Sequence, residues 1–252
     1  MRNFKLEIEY DGSAYHGWQV QNGLKAKQSY HSTRTIQHIL EKKLKKILRE
    51  EVHLIVAGRT DAGVHALGQI ANFKSASQMP LFRLQWALNG LLPDDIKIRS
   101  IKYAALDFNS RFSAKSKVYR YTILNRGYSS PLMRNQVYFF HYPLDIRLMR
   151  KEARVLLGKH SFKAFQATDT RKRNPLKTIK AVKISKSGSL INIDIEGDGF
   201  LYNMVRNIVG TLLEIGRGKF AAGSMRKILV SGKRSLAGPT APARGLCLLK
   251  VR

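Results

Sequence analysis

Residues 57–66 read Ala-Gly-Arg-Thr-Asp-Ala-Gly-Val-His-Ala, the densest cluster of chemistry-bearing side chains in this 252-residue chain. Glycines at 58 and 63 let a backbone turn tightly and come close to a ligand. That places Asp61 at a loop tip with Arg59 two residues away. A cation at such range favours the ionised carboxylate and lowers its pKa. An ionised carboxylate is a nucleophile or a general base. The same residues would also make an Arg–Asp pair and an Asx turn that only stabilise a loop. Residue types alone leave both readings open.

Two further segments suit a polyanionic substrate. Residues 111–121, Arg-Phe-Ser-Ala-Lys-Ser-Lys-Val-Tyr-Arg-Tyr, interleave aromatics with cations. On a strand, Tyr119 and Tyr121 share one face and Arg120 takes the other. Aromatic faces stack on bases and cations hold phosphates, so the pattern fits single-stranded or flipped-out nucleotides. A core strand with tyrosines inward and cations outward would read the same. Residues 197–206, Gly-Asp-Gly-Phe-Leu-Tyr-Asn-Met-Val-Arg, join a strand to a helix that Asp198 or a neighbouring glycine could cap. Arg206 lies beside that helix's apolar stripe, either snorkelling or facing a cleft. The seven histidines show no metal-ligand spacing, and no GxxxxGK[ST] phosphate loop occurs. No metal and no cofactor are expected.

The elements that must position these residues follow from periodicity. Phe4, Leu6, Ile8 and Tyr10 alternate with Lys5, Glu7 and Glu9, predicting a half-buried strand over 4–10. A polar loop covers 21–33, and an amphipathic helix covers 35–50 with lysines on its outer face. Strands over 53–57 and 68–73 flank the loop 58–67; a helix over 81–91 stops before Pro93, and a strand covers 96–103. The second half reads as a strand over 118–124 and a helix over 145–157 capped by Asp145. A hairpin of 179–185 with 190–196 turns at Lys186-Ser187-Gly188-Ser189. A helix over 201–215 and a strand over 246–251 complete it. Each half is β-α-β-β-α-β, the split βαβ unit. The fold class is α+β, with two ferredoxin-like halves, 1–106 and 107–252, of antiparallel sheet.

Composition sets the partner class. There are 45 Lys+Arg against 17 Asp+Glu, a net charge of +28, with 44% hydrophobic residues. That is a globular chain asking for a polyanion, nucleic acid first. Residues 1–106 carry a net +7 and residues 107–252 a net +21, so RNA binding is expected to lean on the second half. No apolar run of about 18 residues is present; the best stretch, 204–215, is broken by Arg206 and Glu214. The start, MRNFKLEIEY, carries Glu7 and Glu9 and no apolar signal-peptide stretch. The single cysteine, Cys247, can make neither an internal disulfide nor a Cys-based zinc site, so a cytoplasmic setting is the expectation.

Taken in order, these segments resemble the TruA family of tRNA pseudouridine synthases over nearly the whole chain. The resemblance rests on Leu6-Glu7-Ile8-Glu9-Tyr10-Asp11-Gly12 followed by Tyr15-His16-Gly17-Trp18-Gln19, then Arg34-Thr35-Ile36-Gln37. It rests above all on Gly58-Arg59-Thr60-Asp61-Ala62-Gly63-Val64-His65-Ala66, which matches the family's active-site signature. Arg111-Phe112-Ser113-Ala114, Tyr119-Arg120-Tyr121, His160-Ser161-Phe162, the run from Gly199 to Arg206, and Ala241-Pro242 before Gly245-Leu246 continue it. The chain departs from the family's pattern at Val20, at Ala243-Arg244, and in the longer polar segment 22–32.

The resemblance implies two ferredoxin-like halves whose sheets join around a central basic cleft, in a homodimer. It implies a cofactor-free isomerase that converts uridines 38, 39 and 40 of the tRNA anticodon stem and loop into pseudouridine. By matching positions, Asp61 is the nucleophile, Arg59 holds the loop and the flipped nucleotide, and Arg206 pairs with Asp61. Tyr119 stacks on the target base, with Arg111 and Tyr121 also at the substrate. Attack at uracil C6, attack at ribose C1′, and elimination from C2′ all remain open. A tRNA-binding or RNA-folding protein on the same scaffold, without the chemistry, is the alternative.

Overall fold

A computed structural model of the chain describes residues 1–19, 34–168 and 174–252. Val20 and the polar segment 21–33 lie outside the described residues. Ten strands and five α-helices appear among them, an α+β fold. In chain order they are β1 (Arg2–Tyr10), α1 (Ile36–Leu48), β2 (Ile55–Val56), β3 (His65–Ser75), α2 (Leu81–Leu91) and β4 (Ile96–Ala104). Then come β5 (Lys117–Leu124), β6 (Tyr138–Phe139), α3 (Ile146–Ala153), β7 (Gly158–Ser161), β8 (Leu176–Ser187), β9 (Leu190–Gly197), α4 (Met204–Gly216), α5 (Ser224–Ser231) and β10 (Leu246–Val251). The chain divides into two compact units, Met1–Lys115 with Leu248–Arg252, and Ser116–Cys247.

In the first unit β1 is the central strand. It pairs antiparallel with β3 on one side and β4 on the other, and β2 pairs with the far side of β3. Phe4, Leu6, Ile8 and Tyr10 are buried, while Lys5, Glu7 and Glu9 alternate toward the opposite face. Phe4 stacks on its cross-strand partner Phe73, with ring centroids 5.0 Å apart. Each such large apolar side chain contributes about 1.5–3 kcal/mol by leaving water. Helix α1 starts at Thr35, whose hydroxyl accepts from the His38 N–H at 3.4 Å. It buries Ile36, Leu40 and Leu44, one per turn. Helix α2 buries Leu84 and Leu88 and turns Phe82 and Trp86 outward, the latter 75% exposed.

In the second unit the strand order is β5-β9-β8-β7, all antiparallel, with β6 added parallel to β5. The β8–β9 hairpin closes on Gly188-Ser189. Only the glycine takes positive φ (+56°), as a two-residue type II′ loop requires of its first residue. Asp145 caps α3 as expected, its carboxylate accepting from the Leu148 N–H at 2.9 Å. Strands β6 and β7 and helix α5 were not anticipated. They are two, four and eight residues long, and Gly-Lys-His-Ser in β7 carries no apolar alternation.

Helix α4 is buried at every residue but Arg206. It begins at Met204, not at 201, with Asn203 in the left-handed conformation before it. Asp198 is not its cap: that carboxylate accepts from the Thr178 N–H at 3.0 Å. Mid-helix Gly210 lies directly under Pro239, where an added Cβ would stand 1.7 Å from the carbonyl oxygen. The contact seats the segment that follows, whose carbonyls at 241 and 242 receive Arg206 and Tyr121. Alanine's helix propensity would stabilise Gly210→Ala by about 1 kcal/mol, but overpacking costs about 1–3 kcal/mol. A clash this close with backbone lets overpacking win. Urea titration should show a lower midpoint at unchanged m-value; a higher midpoint would contradict the contact.

Candidate active site

The main chain of the Asp61 loop is hydrogen-bonded at its entry and at its exit. At its entry the Ala57 N–H donates to the Ile70 carbonyl at 2.8 Å, and the Gln69 amide donates to the Gly58 carbonyl at 2.8 Å. At its exit the Val64 N–H returns to the Asp61 carbonyl at 3.2 Å, a turn in which Gly63 takes φ +76°. Positive φ at the third turn position calls for glycine. Strand β3 then begins at His65, three residues earlier than periodicity indicated.

The segment after β1 clasps this loop from the side. The Trp18 N–H donates to the Thr60 carbonyl at 3.0 Å, and the Gly63 N–H to the Tyr15 carbonyl at 3.3 Å. Gly17, at φ +88°, leaves no room for a side chain, since a Cβ would meet the Thr60 oxygen at 2.6 Å and the Asp61 carbonyl carbon at 3.1 Å. Gly12 is tighter still, its added Cβ standing 2.0 Å from the Val64 oxygen. Below the loop the buried Tyr10 and Thr60 hydroxyls share a 2.7 Å hydrogen bond. Trp18 is fully buried beside Tyr10, ring centroids 6.1 Å apart, and its indole nitrogen has no hydrogen-bond partner among the described residues. Asp61 itself is half-buried and Arg59 is exposed.

His65 locks the clasp from behind. Its Nδ1 lies 3.1 Å from the Gly12 N–H nitrogen and 3.1 Å from an Asp11 carboxylate oxygen. With a lone pair on Nδ1 the ring accepts from Gly12; with a proton there it meets Asp11. Burial pushes the Asp11 carboxyl up, but hydrogen bonds from the Ser13 side chain and N–H, with His65 nearby, more than offset it and hold the group below its ordinary value.

Three of the expected residues belong to the second unit. Tyr119 on β5 is buried, with the ring of Phe200 edge-on at 5.2 Å. Tyr121 is fully buried and donates its hydroxyl to the Pro242 carbonyl at 2.8 Å. Burial, with Tyr138 nearby, raises its pKa far beyond the physiological range, so it stays a donor. Gly245 makes room for that ring, since a Cβ there would meet it at 2.6 Å. Arg206 is half-buried and fastened rather than snorkelling: Nε donates to the Ala241 carbonyl at 2.6 Å and Nη1 to the Asn203 amide oxygen at 2.9 Å. Tyr121 and Arg206 therefore meet on successive carbonyls, 241 and 242. That segment is pinned in turn by Asn207, whose amide oxygen accepts from Thr240 at 2.6 Å and from Arg234 at 3.0 Å. Arg120, on the other face of β5, makes a two-pronged ion pair with Asp194 at 2.7 and 2.8 Å.

Arg111 lies in the first unit, on an exposed turn closed by Asn109, with its guanidinium over the exposed Phe112 ring at 5.4 Å. Buried Asn72 anchors this turn by accepting from the Ser110 N–H at 2.8 Å. Among the described residues no group of three or more His, Cys, Asp or Glu could hold a metal, and no helix is long and apolar enough to cross a membrane. Residue-by-residue reading missed the roles of Gly12, Gly17, Tyr10, Thr60 and the 241–242 carbonyls. Only the glycines carry a signal in the sequence.

A family model described as tRNA pseudouridine synthase matches residues 8–113 and 153–252. Relatives named tRNA pseudouridine synthase A match end to end. The protein of Thermoanaerobacter sp. (strain X514) is 47% identical over 251 residues, covering 100% of this chain and 99% of its own. That of Acetivibrio thermocellus is 45% identical with the same coverage. That of Geobacter sulfurreducens is 44% identical over 253 residues, the whole of both.

The Asp11 geometry has a pH consequence. A carboxyl held low in the folded chain stabilises it fully above the unfolded value of about 3.9 and loses that stabilisation as pH falls through the folded value. Asp11→Asn should therefore lower the urea midpoint at pH 7, with the gap to the unaltered chain closing toward pH 3. A gap independent of pH would rule the ionised group out as its cause.

Proposed function

The chain belongs to the tRNA pseudouridine synthase family, and on that premise we propose that it converts uridines 38, 39 and 40 of the tRNA anticodon stem and loop into pseudouridine with Asp61 as nucleophile. Membership makes it a tRNA pseudouridine synthase, an isomerase acting on tRNA. The positions, the nucleophile and the roles below are our reading. The observation that carries it is Asp61 itself, a half-buried acid on a loop whose main chain is hydrogen-bonded at both ends.

The reaction breaks the N1–C1′ glycosidic bond, turns the uracil, and forms a C5–C1′ bond. The C5 proton is released and N1 gains one, so no electrons or water are consumed overall. A carboxylate attacking C6 or C1′, or taking part in elimination from C2′, needs the same two things: an ionised acid and a fixed position. Fixing it in advance removes part of the entropic barrier. We assign Arg59, two residues from Asp61 and exposed, to a phosphate of the flipped nucleotide.

Reaching a stem uridine requires unpairing and flipping it, at a cost of a few kcal/mol. We assign Tyr119 to the flipped base, where base–aromatic stacking contributes about 1–3 kcal/mol, and Arg206 to the charge that develops in the reaction. Arg111 and its neighbour Phe112 are assigned to the RNA backbone. Tyr121, enclosed and donating to Pro242, acts by holding the 241–242 segment. The enzyme is assigned to the cytoplasm, as a homodimer whose sedimentation should give twice the 28.6 kDa chain mass.

Purified chain and a tRNA transcript carrying C5-tritiated uridine provide the test. Tritium release should accompany new pseudouridine at 38–40. Asp61→Asn should abolish release, by about 10⁴-fold or more as for other lost nucleophiles, while tRNA binding persists. Turnover unchanged in that variant would remove Asp61 from the chemistry. Binding without release by the unaltered chain would make the protein an RNA-binding scaffold.

A further inference from the structure

On the face of β1 opposite Phe4, Leu6 and Ile8, the first unit carries a cavity of about 170 Å³. It is lined by Lys5 and Glu7 of β1, Gly68 of β3, Ser100 and Lys102 of β4, and Lys250 of β10. Lys5 and Lys102 are direct partners in the β1–β4 register, and like charges so opposed are destabilising. Lys250 brings a third cation to the same rim. The acid that lines the cavity does not relieve them. Glu7 is engaged by Arg99, whose Nη1 lies 3.6 Å from one carboxylate oxygen, and by the Ser100 hydroxyl, which donates to the other at 3.3 Å. Among the described residues, none of the three ammonium groups is within ion-pair distance of a carboxylate.

Gly68 keeps the floor of the cavity open. An added Cβ there would stand 2.7 Å from the Leu249 carbonyl oxygen and 3.6 Å from Glu7 Oε1. Glycine thus lets β3 and β10 approach closely without filling the space between the lysines.

We propose that this cavity is a phosphate-binding subsite for the RNA substrate's backbone, separate from the Asp61 loop, none of whose residues line it. Three ammonium groups without a carboxylate of their own are complementary to a phosphodiester, which spreads one negative charge over exposed oxygens. Lysine binds phosphate as a movable point charge, without the planar fork that would demand a particular geometry. The subsite therefore positions RNA and does not read its sequence. An RNA partner is favoured over an acidic protein segment by the chain's excess of 45 Lys+Arg over 17 Asp+Glu and by the family's substrate. The inference rests on the tRNA reading given above.

The test compares the full chain with its Lys5→Gln/Lys102→Gln/Lys250→Gln variant. Anisotropy with a tRNA transcript across a salt series should show Kd raised about three- to tenfold, with the log–log salt slope reduced by about 0.7–0.9, the loss of one neutralised phosphate. KM for pseudouridine formation should rise with kcat unchanged. The thermal midpoint should stay level or climb, because the Lys5–Lys102 opposition is gone. Kd and slope within twofold of the unaltered chain would overturn the subsite; an acidic-protein site would give that result. Should the triple variant fold poorly, Lys102→Gln alone, at an exposed side chain, should still raise Kd about twofold, and no change there overturns the proposal equally. Failure of the unaltered chain to bind or convert tRNA is read separately, in the control, and would overturn the enzymatic reading together with this subsite.

Discussion

The position of the Asp61 loop in the first unit depends on a main-chain contact that admits no side chain. Gly12 and Gly17 lie so close to the peptides of 60–64 that a methyl group at either would overlap backbone. Backbone cannot change rotamer to escape, so the position of the Asp61 peptide is tied to the end of β1 as firmly as one strand is tied to another. Hydrogen bonds from Trp18 and Gly63 give the contact its register. The buried Tyr10–Thr60 pair supports it from below. Main-chain contacts of this kind fix where the Asp61 side chain leaves the backbone.

The second unit reaches the same end by the same means. Gly210 allows Pro239 to rest on the middle of α4, and Gly245 allows the chain to pass under the ring of Tyr121. Between these two contacts run the carbonyls that receive Arg206 and Tyr121. The guanidinium of Arg206 is thereby fixed by the Ala241 carbonyl and the Asn203 amide oxygen. The buried polar network through Asn207, Thr240 and Arg234 shows why α4, almost wholly enclosed, still carries polar residues. They satisfy the segment's hydrogen bonds where water has no access.

Much of this was legible because the local signals agreed with the tertiary outcome. The alternation of β1, the one-per-turn apolar stripe of α1 and the Asp145 cap each express a periodicity or a hydrogen bond that operates within a few residues. Asp198 failed as a cap for the opposite reason. Its carboxylate was claimed by the Thr178 N–H, twenty positions earlier, a contact that no local pattern encodes. Strands β6 and β7 are too short to alternate, and they exist only because β5 and β8 offer edges. In the candidate site, Asp61 was visible as a chemical group beside Arg59. The clasp was not, because a glycine does not announce which distant carbonyl it must approach. Arg206 was ambiguous from its place on the helix, since the acceptors that settle its direction lie 35 residues away or in the turn before α4.

The two tryptophans occupy opposite optical environments. Trp86 is 75% exposed on α2, whereas Trp18 is fully buried with an indole N–H that makes no hydrogen bond among the described residues. An indole as exposed as the first is expected to emit at long wavelength within reach of iodide, and one as enclosed as the second to emit at short wavelength and be shielded. Because the amide of Trp18 is bonded to the Thr60 carbonyl, the shielded component is a built-in reporter on the loop that carries Asp61, and it needs no attached dye.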